Sequence, residues 1–263
     1  MSTPAQGFAH SRDEFQDLVE RTLQLARERG ASDAAAEVSE GAGLSVSARL
    51  GKLENVERNR DKSLGVTVFL GQRRGHASTS DFSAKALADT VQAAYDIARF
   101  TAEDPAAGLP DAADLLLEPA PDLDLFHPWA VDASQACELA LRCEAAALGT
   151  DRRISNSEGA AVSAQQSHFF AGNSRGFRGG YASSRHSISV APIAGRGADM
   201  QRDAWYSSER SAADLAAPEA VGRYAAERAL SRLKARKVAT AEVPVLFENT
   251  VAAGLLGALV QAT

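Results

Sequence analysis

Residues 34–80 read AAAEVSEGAGLSVSARLGKLENVERNRDKSLGVTVFLGQRRGHASTS. Apolar residues fall at Val38, at Leu44, Val46 and Ala48, at Leu53 and Val56, and at Leu64, Val66 and Val68. Alternation with a period of two belongs to half-buried strands, whose successive side chains point to opposite faces. Gly51, the polar run Asn59–Lys62 and Gly71–Gly75 separate the apolar runs and read as turns. The pattern predicts an antiparallel meander with one face on a core.

The period changes to 3.6 on either side. Ser11 with Glu14 makes a capping box, and Phe15, Leu18, Val19, Thr22, Leu25 and Ala26 repeat at helical spacing until Gly30. Ser83 opens a second helix with Leu87, Thr90, Val91, Ala94, Ile97 and Ala98 on one side. Residues 101–131 hold five of the nine prolines and many aspartates, the composition of a connection. In it the piece Pro121–Pro128 carries Leu123, Leu125 and Phe126, enough apolar surface to pin it to a domain, and His127 reads as a packed or surface residue.

Asp132 with Gln135 caps a third helix that buries Ala136, Leu139, Ala140, Cys143 and Ala147. Strands are predicted over 153–157, 161–171, 177–193 and 200–208, with Asn173-Ser174-Arg175-Gly176 as a turn and Asn156–Gly159 as a strand end. Pro218 begins a fourth helix. Helix, strands, helix occurs twice, which suggests an internal duplication. The fold class is α+β: helix-flanked antiparallel sheets. The expected division is an α+β unit over 1–100, a connection over 101–131, a second α+β unit over 132–238, and the truncated start of a further domain over 239–263.

That last piece, EVPVLFENTVAAGLLGALVQAT, reads as a short strand through Val243, Val245 and Phe247, then a helix capped by Asn249 or Thr250. No Gly, basic turn or Pro stops the helix after Leu259, so the sequence reads as the front of a longer protein.

With 45% hydrophobic and 24% charged residues among 263, the chain can bury a sizeable core. A net charge of -6 argues against general nucleic-acid binding, which needs a basic face. The start lacks a leader pattern and no apolar run is long enough to span a bilayer, so a cytoplasmic protein without membrane contact is expected. Cys137 and Cys143, too far apart on one helix to bridge, fit a reducing compartment. The glycine-rich run 172–180 lacks the Gly-Lys-Ser/Thr ending of a phosphate loop and reads as a hairpin. No nucleophile elbow accompanies His168 or His186, which argues against a serine hydrolase. The basic end of the fourth helix, from Arg223 to Lys237, is explained by complementing the helix dipole.

Several stretches in order resemble the TldD/PmbA family, and within it the PmbA (TldE) branch. They are Ser45–Asp81, APDLDLFHP (120–128), RISNSEGA (153–160), FAGNSRGFRGGYASSRHSIS (170–189), LSRLKARKV (230–238) and the final helix with Gly254 and Gly257. The resemblance implies a heteromeric cytoplasmic protease in which a zinc-bearing TldD-type subunit pairs with a metal-free PmbA-type one around a chamber for unfolded or small peptides. It also implies roles in peptide maturation and antitoxin turnover, and proteins once described as modulators of DNA gyrase. By the register of the metal-bearing branch, the first His and the Glu of its zinc motif fall on Gln261 and Ala262. A zinc peptidase needs imidazoles to hold the ion and a carboxylate to take a proton from water whose pKa the ion lowers to about 7. Gln and Ala supply neither, so the expectation is no catalytic residue and no metal in this chain, with zinc in the partner.

The strand after Gly176 places Tyr181 and Arg185 on one face. With Arg175 in the turn, they are the candidate peptide-binding residues, acting by strand addition. The alternative is a non-proteolytic peptide-binding or regulatory protein. A self-sufficient peptidase would need metal ligands beyond Thr263.

Overall fold

The structure is a computed structural model describing residues 7–117 and 121–262; Ala120, which opens the APDLDLFHP piece, and Thr263 lie outside them. The stretch 34–80 folds into two long strands and a short one: β1 (Asp33–Arg49), β2 (Lys52–Leu70) and β3 (Arg73–Thr79). Asn59–Lys62, read as a turn, is mid-strand. Its backbone pairs with Glu40–Gly43 of β1, and the run is polar because this half of β2 is an edge that no strand covers beyond. Charged side chains on such an edge discourage pairing with other chains. The true turn is Leu50–Gly51, with φ of 49° and 74°. Its amides donate to the carboxylate of Glu144, at 3.0 Å from Leu50 and 2.9 Å from Gly51.

Downstream, β4 (Ile154–Asn173), β5 (Arg178–Gly179), β6 (Ala182–Ala194), β7 (Gln201–Arg202) and β8 (Trp205–Glu209) follow. Asn156–Gly159 is a bulge inside β4 and ends no strand: the register against β6 shifts there, and Gly159 at φ 109° absorbs the extra residue. Among the described residues these eight strands form one antiparallel sheet in the order β3-β2-β1-β4-β6-β7, with β5 on β4 and β8 on β6. The fold is thus α+β, with both helix–strand–helix halves contributing to a single sheet through the β1–β4 pairing.

Four helices pack on this sheet: α1 (Arg12–Glu28), α2 (Ala84–Phe100), α3 (Ala133–Thr150) and α4 (Pro218–Ser231). The capping boxes of Ser11/Glu14 and Asp132/Gln135 form as the sequence predicts. All four cover one face, since the buried residues of β1 are Ala34, Ala36, Val38, Glu40, Leu44, Val46 and Ala48, all even-numbered. Odd positions such as Ser39, Ser45 and Ser47 stay half-buried on the face that none of these four helices covers.

Two cores result. One, under α1 and α2, holds Phe15, Val38, Leu64, Val66, Leu87 and Phe170. The other, under α3 and α4, holds Leu44, Val46, Val162, Ile188 and a row of alanines. Cys143 lies in the second, and burial pushes its thiol up to about 12.

The chain divides into two compact units, Met1–Leu233 and Lys234–Thr263. In the second, Asn249–Ala262 is helical (α5), as predicted. Val243–Phe247, predicted as a strand, forms none, because a strand exists only by pairing and no described segment pairs with it.

Candidate functional site

Between the two cores the helix-covered face turns polar. Cross-strand partners line up there in rows: Lys62, Glu40, His168 and Ala182; then Arg60, Ala42, Gln166 and Ser184; then Arg58, Leu44, Ala164, His186 and Glu209. These rows are bridged by the lead-in to α1, residues 7–11, and by the connection residues 125–131.

Glu40 anchors the lead-in. Only 2% exposed, its carboxylate accepts the amide N–H of Ala9 at 2.8 Å and of His10 at 3.1 Å, with His10 Nδ1 at 3.2 Å and His168 Nε2 at 3.5 Å. Burial alone would raise this carboxyl's pKa. The amide of Ala9, the His10 ring and amide, and His168 outweigh it and hold the group below its ordinary value. His168 stacks between Phe8 and Phe15, at 4.2 and 4.3 Å between centroids. Burial lowers its pKa, and Glu40 offsets this only in part. With its oxygens taken by amides and rings, Glu40 clasps chain segments together.

The connection is held on β6. The amide of Ser184 donates to the Leu125 carbonyl, its hydroxyl accepts the His127 amide, and His186 Nε2–H donates to the His127 carbonyl at 2.8 Å. His127 is thus held through its backbone, with its ring partly exposed.

Two hollows flank the clasp. One, of about 1000 Å³, lies among Phe8, Phe126, Phe169, Phe177 and Tyr181. The other is a cleft of about 350 Å³ with Ala42, Leu44 and Ala164 as floor, Arg58 and Arg60 on one side and Trp129 and His186 on the other.

The three candidate peptide-binding residues are not gathered in one place. Arg175, in the β4–β5 turn, pairs with Asp33 at 2.9 Å and donates to the carbonyls of Leu109 and Pro110, tying down the connection. Tyr181 stands 53% exposed at the larger hollow, edge-on to Phe169. Arg185 lies on the uncovered face, donating to the Ser208 carbonyl of β8. Gln261 and Ala262 occupy the last turn of α5.

The donor set of α5 does not fit a zinc ion: Asn249–Ala262 has no His, Cys, Asp or Glu. Among the described residues, no group of three such side chains is placed to hold a metal, and no helix is long and apolar enough to cross a membrane.

Glu40 and His186 have a sequence signal that periodicity alone passes over: a charged or polar residue in phase with the apolar positions, as in Val38-Glu40-Ala42-Leu44 and His186-Ile188-Val190.

Residues 34–98 match domain 1, and residues 126–233 the central domain, of the PmbA/TldA metallopeptidases. The metalloprotease PmbA of Escherichia coli O157:H7 is 49% identical over 249 residues, which cover 94% of this chain and 55% of that protein. The chain belongs to the PmbA branch of the PmbA/TldD family.

A PmbA homolog of Haemophilus influenzae is 43% identical, over 92% of this chain and 53% of its own length. The chain therefore spans about half the length of the PmbA relatives it matches. Among solved structures, a Bacteroides thetaiotaomicron protein proposed to modulate DNA gyrase superposes with a TM-score of 0.78 at 24% identity, covering 86% of this chain and 52% of that one. TldE of Thermococcus kodakarensis gives 0.66 at 14% identity, covering 80% and 47%. At these identities the likeness is one of fold, and the helix-flanked antiparallel sheet is the shared element.

Proposed function

We propose that this chain is the metal-free, PmbA-type part of a heteromeric zinc metallopeptidase that acts on unfolded or small peptides in the cytoplasm. In this reading a TldD-type subunit holds the zinc and performs the hydrolysis, while this chain shapes the chamber. The carrying observation is the composition of α5: by the resemblance, the position of the zinc motif's His and Glu is held by Gln261 and Ala262, which can neither coordinate the ion nor take a proton from its water. The uncovered sheet face supports it. Its small polar side chains, among them Ser45, Ser163, Ser167 and Ser183, present hydroxyl groups that can hydrogen-bond a peptide of no required sequence.

The test is hydrolysis of an unstructured peptide by this protein, by a TldD-type protein and by their mixture, each with and without a chelator. Chelator-sensitive cleavage in the mixture alone is expected. Cleavage by this protein alone refutes the assignment of Gln261 and Ala262, and a silent mixture points to a peptide-binding or regulatory protein.

A further inference from the structure

We propose that the cleft between the two helix pairs binds the free carboxylate end of a short peptide, two or three residues long, laid across the strands. The hollow follows from the sequence. Large side chains fill the face on either side, Val38 and Phe170 in one core and Val46, Val162 and Ile188 in the other, while Ala42 and Ala164 between them are small and belong to neither core. At about 350 Å³ the cleft falls within the range of about 300–1,000 Å³ seen for small-ligand sites.

Its two ends ask for different chemistry. At one end, Arg58 and Arg60 are two residues apart on β2 and share a face, which sets them about 6.6 Å apart along the strand. Arg60 donates to the Gly7 carbonyl at 3.0 Å and lies 4.0 Å from the Glu40 carboxylate, which already answers part of its charge. Arg58, by contrast, makes no hydrogen bond or ion pair among the described residues and is the guanidinium left free to take a ligand. Guanidinium groups on a cleft wall select a carboxylate or phosphate.

At the other end His186 is 1% exposed. Its Nε2–H is given to the His127 carbonyl, and Nδ1, the acceptor of a neutral imidazole, is buried without a partner. A buried acceptor left unmade is unfavourable, so a ligand N–H is favoured there.

The row Arg58, Leu44, Ala164, His186 crosses three strand intervals, about 14 Å between the outer Cα atoms. Once the two side chains reach inward, the gap suits two or three extended residues at about 3.3–3.6 Å each. One molecule with an anion at one end and an N–H donor at the other is a short peptide with a free C-terminus. Phosphate supplies the anion but not the donor. Leu44 and Trp129 give an apolar side chain of that peptide its contact.

The choice of peptide rests on the peptidase-complex reading, so binding is measured on this chain alone by titration calorimetry. The probes are the tripeptide Ala-Ala-Phe, its C-terminal amide, and inorganic phosphate as competitor. The expected result is saturable binding of the free acid, at least tenfold weaker binding of the amide, no displacement by equimolar phosphate, and at least tenfold loss in Arg58→Gln with an unchanged melting temperature. No binding, equal binding of acid and amide, displacement by phosphate, or an unaffected Arg58→Gln variant overturns the site. Tripeptide binding without cleavage by the mixed subunits sinks the proposed function and spares the cleft; cleavage without binding does the reverse.

Discussion

At the scale of single residues, Glu40 and His168 set how the protein responds to acid. In the fold the His168 imidazole is held below its ordinary value by burial, so it stays neutral where the unfolded chain takes up a proton, near pH 6.5. Its contribution is complete above that pH and is lost as pH falls through the lower folded value. Glu40, also lowered, contributes fully above the ordinary carboxylate pKa of about 4.3 and loses its contribution below it. Both therefore weaken the fold on acidification, His168 first. Melting temperature measured by circular dichroism from pH 8 to pH 3.5 should fall in two stages. His168→Gln should flatten the upper stage, and Glu40→Gln the lower one. At pH 7, Glu40→Gln should cost about 1–3 kcal/mol, because the buried amides of Ala9 and His10 lose their charged acceptor. Variant curves parallel to the parent's would refute this assignment. Neither role could be read from the sequence, because Glu40 and His168 lie 128 positions apart and meet only through the β1–β4 register.

Elements differed in how openly the chain announced them. Helices α1 and α3 could be placed from Ser11/Glu14 and Asp132/Gln135, since a capping box is a local hydrogen-bond pattern. Strand ends could not: Asn59–Lys62 has turn composition but is held straight by β1, and Gly159 marks a bulge where a terminus was expected. What joins α3 to α4 is likewise hidden. The α4 face buries Val221, Gly222, Ala225, Ala226 and Ala229, small enough to bring the helices close, and a Cβ at Gly222 would run into the Cys143 carbonyl. Gly222→Ala should accordingly destabilise by about 1–3 kcal/mol despite the higher helix propensity of Ala. Thermal melts check it, and an unchanged or raised melting temperature would show that the two helices can move apart at no cost.

On the scale of the whole molecule, the β1–β4 ladder from Ala35 to Ala48 decides that the two helix–strand–helix halves share one sheet. Breaking either half exposes the other's strand edge and its side of the central clasp, so residues 12–231 should unfold in one cooperative step. Hydrogen exchange should then show β2 and β6 opening together, whereas protection lost in one half well before the other would mean that the halves are independent. The sequence by itself determined the helices, the strand character of 34–80 and 154–194, the family resemblance, and the lack of metal-ligating side chains in α5, because each of these is written in local spacing or residue type. Only the tertiary structure decided that one face carries all four helices, that Arg175, Tyr181 and Arg185 stand apart, and that Arg58 and His186 face each other across a cleft. Those outcomes depend on register between distant strands, where a slip of a single residue would send every side chain to the opposite face.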